Sequence, residues 1–298
     1  KESAENGHLE MVRFLLNNGA DPNLKVDKAV DKNSEWQVGF TALATSVKNG
    51  HEKITKLLLE NGANPNIYVQ NRSLLHHAIE GKRSGHKNIR LMLIKHGADV
   101  NATTRKPEDS RFYKFTPLIM SSSRGQAETV KKLLEFDVDV NARAEPFDVT
   151  ALLAASRNAQ KECVRLLLEA GADPDLTNAA DFTPLMFASR NRQPEIVKLL
   201  LQHDADPLKR NDRSKIALDL ARREYRDRKH KDYKKIIGML EEVTPKTYGR
   251  EDRSEKNYDI KVSKKVIQKW RGGKELYGFF TVLNYKNDMV YFKSKDTK

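Results

Sequence analysis

The sequence predicts an all-α solenoid, in which helix pairs stack in a row and β-hairpin fingers join them, with the start of a small β-containing region behind. Three observations carry that prediction. First, six segments end in one pattern: Asn-Gly-Ala-Asp-Pro-Asn (18–23), Asn-Gly-Ala-Asn-Pro-Asn (61–66), His-Gly-Ala-Asp-Val-Asn (96–101), Phe-Asp-Val-Asp-Val-Asn (136–141), Ala-Gly-Ala-Asp-Pro-Asp (170–175) and His-Asp-Ala-Asp-Pro-Leu (203–208). Second, aligning Gly19, Gly62, Gly97, Asp137, Gly171 and Asp204 gives spacings of 43, 35, 40, 34 and 33, a base period of 33 with insertions of 10, 2, 7 and 1. Third, a hydrophobic content of 38% and a mean hydropathy of −0.70 are low for one compact core of 298 residues. They suit units that bury surface only against their neighbours.

Each unit follows from ordinary helix chemistry. Thr116-Pro117-Leu118 and Thr183-Pro184-Leu185 open a helix, with threonine as N-cap and proline at the first helical position. Thr41-Ala42-Leu43, Thr150-Ala151-Leu152 and Ser73-Leu74-Leu75 are variants of that start. A short turn such as Lys48-Asn49-Gly50-His51 leads to a second helix, where apolar residues recur at helical spacing: Ile54, Leu57 and Leu58 in one unit, Val197, Leu199 and Leu200 in another. Gly62, Gly97 and Gly171 predict the left-handed residue that stops this helix. The Asp/Asn-rich segment after each predicts a β-hairpin finger. Lys215 to Val243 reads as a seventh, degenerate unit, whose charged run Arg222 to Lys235 suits a cap with its outer face in water. Lys1 falls inside the first helix of the first unit, so further units are expected upstream.

This period with these endings resembles the ankyrin repeat. The resemblance implies a binding scaffold over residues 1–243, without an active site, that grips a partner in a concave groove beside the fingers. His76 stands at the motif's histidine, a residue the resemblance assigns to bridging adjacent repeats. Specificity is expected where the repeat is irregular. Two fingers are lengthened: Leu24 to Gly39, with Lys25, Lys28, Lys32 and Trp36, and Ala102 to Lys114, with Arg105, Lys106, Arg111, Phe112 and Tyr113. Gly81 to Asn88 lengthens a turn between two helices. Cations near aromatic rings suit a phosphate- or base-bearing ligand, because rings stack on bases while Lys and Arg neutralise phosphate. They equally suit an acidic peptide or a solvated loop. Phe40, Phe115 and Phe182 each precede the helix-starting threonine, where a ring either anchors a ligand or packs between fingers. The candidate binding residues are therefore Lys25, Lys28, Trp36, Phe40, Arg111, Tyr113, Phe115 and Phe182.

Residues 244–261 are polar and aperiodic and read as a linker; 262–298 begin something different. Phe279-Phe280-Thr281-Val282-Leu283 and Met289-Val290-Tyr291-Phe292 predict two strands of a hairpin, with Asn284 to Asp288 as the turn. Gly273-Lys274-Glu275-Leu276-Tyr277-Gly278-Phe279-Phe280 resembles the glycine-rich loop of protein kinases, with Glu275 where the second glycine should stand. Fifteen residues after Gly278, Val290-Tyr291-Phe292-Lys293 looks like the strand that ends in the ATP-phosphate lysine. The resemblance implies the start of a kinase-like N-lobe, with Gly273, Gly278 and Lys293 as ATP-binding positions; the alternative is an edge strand that ends in lysine. The order of features is similar to the ribonuclease L family of 2-5A-dependent endoribonucleases. Their succession of a long charged finger, a normal repeat and a repeat with extra residues between its helices matches 24–39, the unit from Phe40, and Arg72 to Ile79 with its insertion at 81–88. The inositol-requiring kinase/endoribonucleases are an equal source for the last strands. Such a relation implies a ligand sensor that controls a downstream nuclease through dimerisation, with every catalytic residue beyond Lys298. Val26, where that family would place a basic contact, departs from it.

The net charge of +13 is unevenly spread. Residues 1–208 hold 28 Lys+Arg against 27 Asp+Glu, and residues 209–298 hold 26 against 14. The segment 209–271 is thus a candidate RNA surface or a solvated basic stretch. Cys163 is the one cysteine; it excludes an internal disulfide, reads as core packing, and fits a cytoplasmic or nuclear compartment. No apolar run approaches the roughly 18 residues of a membrane span, and no signal-peptide pattern opens the chain. The histidines lack metal-ligand spacing, and no nucleophile elbow, His-Glu-x-x-His or Walker loop occurs. No cofactor is expected in the repeats, and ATP only with a completed kinase-like domain. Three functions stay open: a ligand sensor, an adaptor for a peptide or protein, and an RNA binder. The expected partners are a protein or an oligonucleotide.

Overall fold

The computed structural model describes residues 1–26, 39–105, 114–245, 280–286 and 289–294, the last two as backbone. It forms two compact units, Lys1–Leu240 and Glu241–Lys298.

The first unit is a double row of short helices. One row holds α1 (Glu2–Glu5), α3 (Ala42–Asn49), α5 (Leu74–Glu80), α7 (Pro117–Ser123), α9 (Ala151–Arg157), α11 (Pro184–Arg190) and α13 (Ala217–Arg228). The other holds α2 (Leu9–Asn17), α4 (Glu52–Glu60), α6 (His86–Lys95), α8 (Ala127–Leu133), α10 (Lys161–Glu169), α12 (Pro194–Gln202) and α14 (Lys231–Val243). Helices pack in series along each row, from α1 to α13 and from α2 to α12, and the pairs α1·α2 to α11·α12 close across. One leucine after another fills the seam, including Leu43, Leu75, Leu93, Leu118, Leu152, Leu167 and Leu200, all buried. Each contributes on the order of 2 kcal/mol.

The helix starts behave as their chemistry requires. Thr41, Thr116, Thr150 and Thr183 are extended N-caps whose Oγ1 accepts from the amides of Ala44, Ile119, Leu153 and Met186. The second helices end at left-handed glycines, with φ of 81° at Gly19 and Gly62, 78° at Gly97 and 83° at Gly171. Asp204 takes the same conformation at φ 61°. In the fourth unit, where Asp137 replaces the glycine, α8 ends at Leu133 and no left-handed residue follows at 137.

The repeated Asp-x-Asn endings are the joints between units. Within each, the first side chain accepts from the amide two residues on, as in Asn23 N–H to Asp21 Oδ1 (2.8 Å) and Asn101 N–H to Asp99 Oδ1 (2.9 Å). The asparagine then reaches the next unit. Asn23 Nδ2 donates to the Gly62 carbonyl at 3.0 Å, and Asn23 Oδ1 accepts from the Asn64 amide at 2.7 Å. Asn66 repeats both bonds with Gly97 and Asp99.

Two expectations are corrected. A β-hairpin was expected in every finger, yet among the described residues only β1 (Tyr68–Val69) and β2 (Arg72–Ser73) form one, around left-handed Gln70 and Asn71. A single bridge pairs Ala144 with Val149, and other fingers close through one or two backbone bonds, such as Asn178 N–H to Phe182 O. The joints satisfy the amides at the finger starts, such as those of Asn64, Asn66 and Asp99, and exposed backbone beyond them can bond to water, so strands are not needed. In the second unit, β3 (Phe280–Lys286) runs antiparallel to β4 (Met289–Ser294). Asn284 to Lys286, expected in the turn, extend the strand. A register shift between Val282 and Tyr285 absorbs the extra residue as a bulge.

Candidate binding surface

The surface is built from finger bases and from the ends of the first-row helices. Lys25 is exposed at the base of the first long finger, where Val26 N–H donates to the Phe40 carbonyl and Gly39 N–H to Val26 O. Lys28, Trp36, Arg111, Tyr113, Gly273 and Gly278 lie outside the described residues. Lys293 falls on β4, opposite Thr281.

Of the three phenylalanines, Phe40 is removed as a ligand anchor. It is 1% exposed, with the Lys48 ammonium 5.3 Å from its ring centroid, so its surface is already used inside the stack. Phe115 and Phe182 are half-buried. Phe182 lies beside Phe187, with ring centroids 5.2 Å apart, and the Arg157 guanidinium stands 6.0 Å from the Phe187 ring. Phe187 and Arg157 were missed in the sequence, because each reads as an ordinary helix position there. So was the pairing of Arg105 with Tyr68: the guanidinium sits 3.9 Å from the ring centroid, while Tyr68 OH donates to Thr103 O. Thr103 and Arg105, at the base of the second long finger, are thereby tied to the β1–β2 hairpin, with Arg105 N–H donating to Asn71 O.

His76 bridges neighbouring units. Its Nε2 lies 2.8 Å from the Phe115 carbonyl and its Nδ1 2.7 Å from Ser73 Oγ. A carbonyl can only accept, so Nε2 carries the proton and Nδ1 accepts from the serine hydroxyl. That hydroxyl makes no helix-cap bond, unlike the four threonines. Burial pushes the His76 pKa down to about 4, so the ring is neutral at ordinary pH.

The inserted turn is not a free loop either. Arg83 donates to the Asn49 carbonyl, and the buried His86 ring fills the space beside Gly81 and Gly50. A Cβ on Gly81 would fall 1.9 Å from that ring. Buried Cys163 has its thiol pushed up to about 11 by desolvation, which makes it a packing group and not a nucleophile. Among the described residues no three His, Cys, Asp or Glu side chains gather as metal ligands, and no helix is long and apolar enough to cross a membrane.

Residues 2–104 and 118–211 match the family described as ankyrin repeats (three copies). The chain is an ankyrin-repeat protein. Among solved structures, the ankyrin repeat domain of human ASB11 is similar, with 27% identity and a TM-score of 0.61 over 82% of this chain and 97% of that one. An ankyrin repeat domain from Acinetobacter baumannii AYE is similar at 29% identity, with a TM-score of 0.57 over 69% of this chain and 97% of that one. No curated protein matches. The ankyrin stack therefore stands on the family match and the helical geometry together, and neither comparison supports a kinase-like lobe after it.

Proposed function

We propose that this ankyrin stack binds a protein partner through the first-row helix ends and finger bases. Ankyrin repeats mediate binding of protein partners, and the described surface fits that use. The observation that carries the reading is a division of labour among side chains. The Asn joints and His76 hold the units together, and the threonine caps hold the helix starts within each unit. Half-buried Phe182 and Phe187, with exposed Arg157 and Arg190 beside them, lie at the surface of α11 and α9 and its finger. A rigid row with a partly exposed aromatic pair and flanking cations has the composition of a protein-binding patch.

ATP, oligonucleotide or sensor-type recognition would depend on Lys28, Trp36, Arg111, Tyr113, Gly273 and Gly278, which lie outside the described residues. Within the RNA-binding candidate 209–271, part of the described basic charge is held internally, as Arg228 pairs with Glu224 at 3.3 Å. The surface chemistry thus favours a protein.

The test is a random peptide library panned against the chain, with binders located by photo-crosslinking. Crosslinks at Phe182, Phe187 or Arg157, lost in Phe187→Asp, are expected. Binders that crosslink only to the second-row helices would overturn the assignment.

A further inference from the structure

We infer that Arg157, Arg190 and Arg223 form a basic rail for an extended acidic segment of the partner, with one carboxylate at every third residue; this rests on the protein-binding reading above. The three arginines are spaced by 33 residues, the base period of the array. Each stands seven residues after the N-cap of its helix, at Thr150, Thr183 and Ile216, so they occupy one position on three successive units. α9 packs on α11 and α11 on α13, which lines the three side chains along one edge, and all three are exposed.

A bland cause exists for two of them. Arg157 and Arg190 close the last turns of their helices, where the macrodipole favours a cation. Arg223 lies inside α13, which runs on to Arg228, so helix-end preference does not account for the row. Their charge is also largely unanswered. Among the described residues neither Arg157 nor Arg223 has a carboxylate within ion-pair distance, and Arg190 has only Glu224, at 4.0 Å. That glutamate is shared with Arg228. The rail stops at α9: the corresponding positions before it are Ser123 and Glu80, and Glu80 is held by Arg72 and Arg124.

The spacing selects the occupant. Packed helices lie about 8–10 Å apart, and an extended chain advances about 3.3 Å per residue. Three residues therefore span one unit, which places carboxylates at i, i+3 and i+6 opposite the three guanidiniums. Phe187, three residues before Arg190, supplies an apolar contact between charges. A nucleic acid strand fits less well, because the rings of Phe182 and Phe187 lie against each other with Arg157 near the latter, leaving no open pair of faces for base stacking.

The experiment measures fluorescence anisotropy of labelled peptides with the full chain at physiological salt. One peptide carries Asp at i, i+3 and i+6 with a leucine between; a second clusters the same residues; a third replaces Asp by Asn; a single-stranded RNA of similar length is the fourth probe. The spaced peptide is expected to bind at least about tenfold tighter than the clustered one. Arg157→Gln with Arg190→Gln should erase that preference without changing the unfolding midpoint, while Lys198→Glu on α12 should leave it intact. Equal binding of spaced and clustered peptides, or tighter binding of RNA, overturns the rail. If acidic peptides fail while library binders still crosslink to Phe187, the rail falls and the protein-binding surface stands. If no peptide of any class reaches this face, both fall.

Discussion

His76 joins two repeats while remaining uncharged, and that makes it a titratable weak point. Its pKa is pushed down to about 4 in the fold, against 6.5 for the free side chain, and burial drives neighbouring His77 down as well. A histidine with a depressed folded pKa contributes stability that is complete above about pH 6.5 and is lost as pH falls toward 4. Denaturant unfolding at pH 7.5 and 4.5 should show roughly 2–3 kcal/mol of pH-dependent loss from this residue. His76→Asn should flatten that part of the profile; an unchanged pH dependence would contradict the assignment. Asp175 is a second informative residue. It occupies the place of the joint asparagines, and its Oδ1 accepts from the Asp206 amide at 2.8 Å, but it has no Nδ2 to donate. Burial raises its pKa, so the ionised form is penalised. Asp175→Asn restores the donor that Asn23 and Asn66 use and should stabilise by about 1 kcal/mol near neutral pH. Thermal melts with urea titration would measure it.

At the scale of the element, the short turn between the two helices of a unit uses a left-handed residue after the first helix, which the lengthened turn at Gly81, with φ −62°, does without. Gly50 and Gly125 supply it at φ 70° and 69°, whereas Ala159 and Arg192 adopt it at 59° and 60° with side chains attached. A left-handed L-residue costs about 1–2 kcal/mol. Ala159→Gly should therefore stabilise, by less than about 1 kcal/mol once the extra freedom of glycine when unfolded is counted. Gly125→Ala should destabilise by about 1–2 kcal/mol, since its Cβ would also meet Gln160 Oε1 at 1.9 Å and displace that side chain. Opposite signs for the two variants in equilibrium unfolding are the expected result. The turn was legible in Asn49-Gly50-His51, but Ala159 and Arg192 gave no warning, because neither residue type advertises a positive φ. Likewise Asp204 keeps the helix stop that glycine makes elsewhere, while Asp137 does not.

For the molecule, each unit is buried by its neighbours. Ile54 and Leu58 of α4, a helix that packs against both α2 and α6, are 2% and 1% exposed. Stability is then a sum of local interfaces, and damage should spread by distance along the row. Leu167→Ala, in the buried seam of α10, should cost about 2–5 kcal/mol. Hydrogen exchange should lose most protection in α8 to α12 and least in α2 and α4; uniform loss from α2 to α14 would argue for a single cooperative core. Sequence alone determined the row of helix pairs, because a 33-residue period of caps, apolar positions and Asp-x-Asn joints repeats chemistry that acts within one unit or between adjacent ones. It did not determine which aromatic rings are open, since Phe40, Phe115 and Phe182 hold one motif position yet differ in burial with the packing around each. Nor did it show that Arg157, Arg190 and Arg223 share an edge. That edge exists only once α9, α11 and α13 are stacked, which brings residues far apart in the chain to one spacing in space.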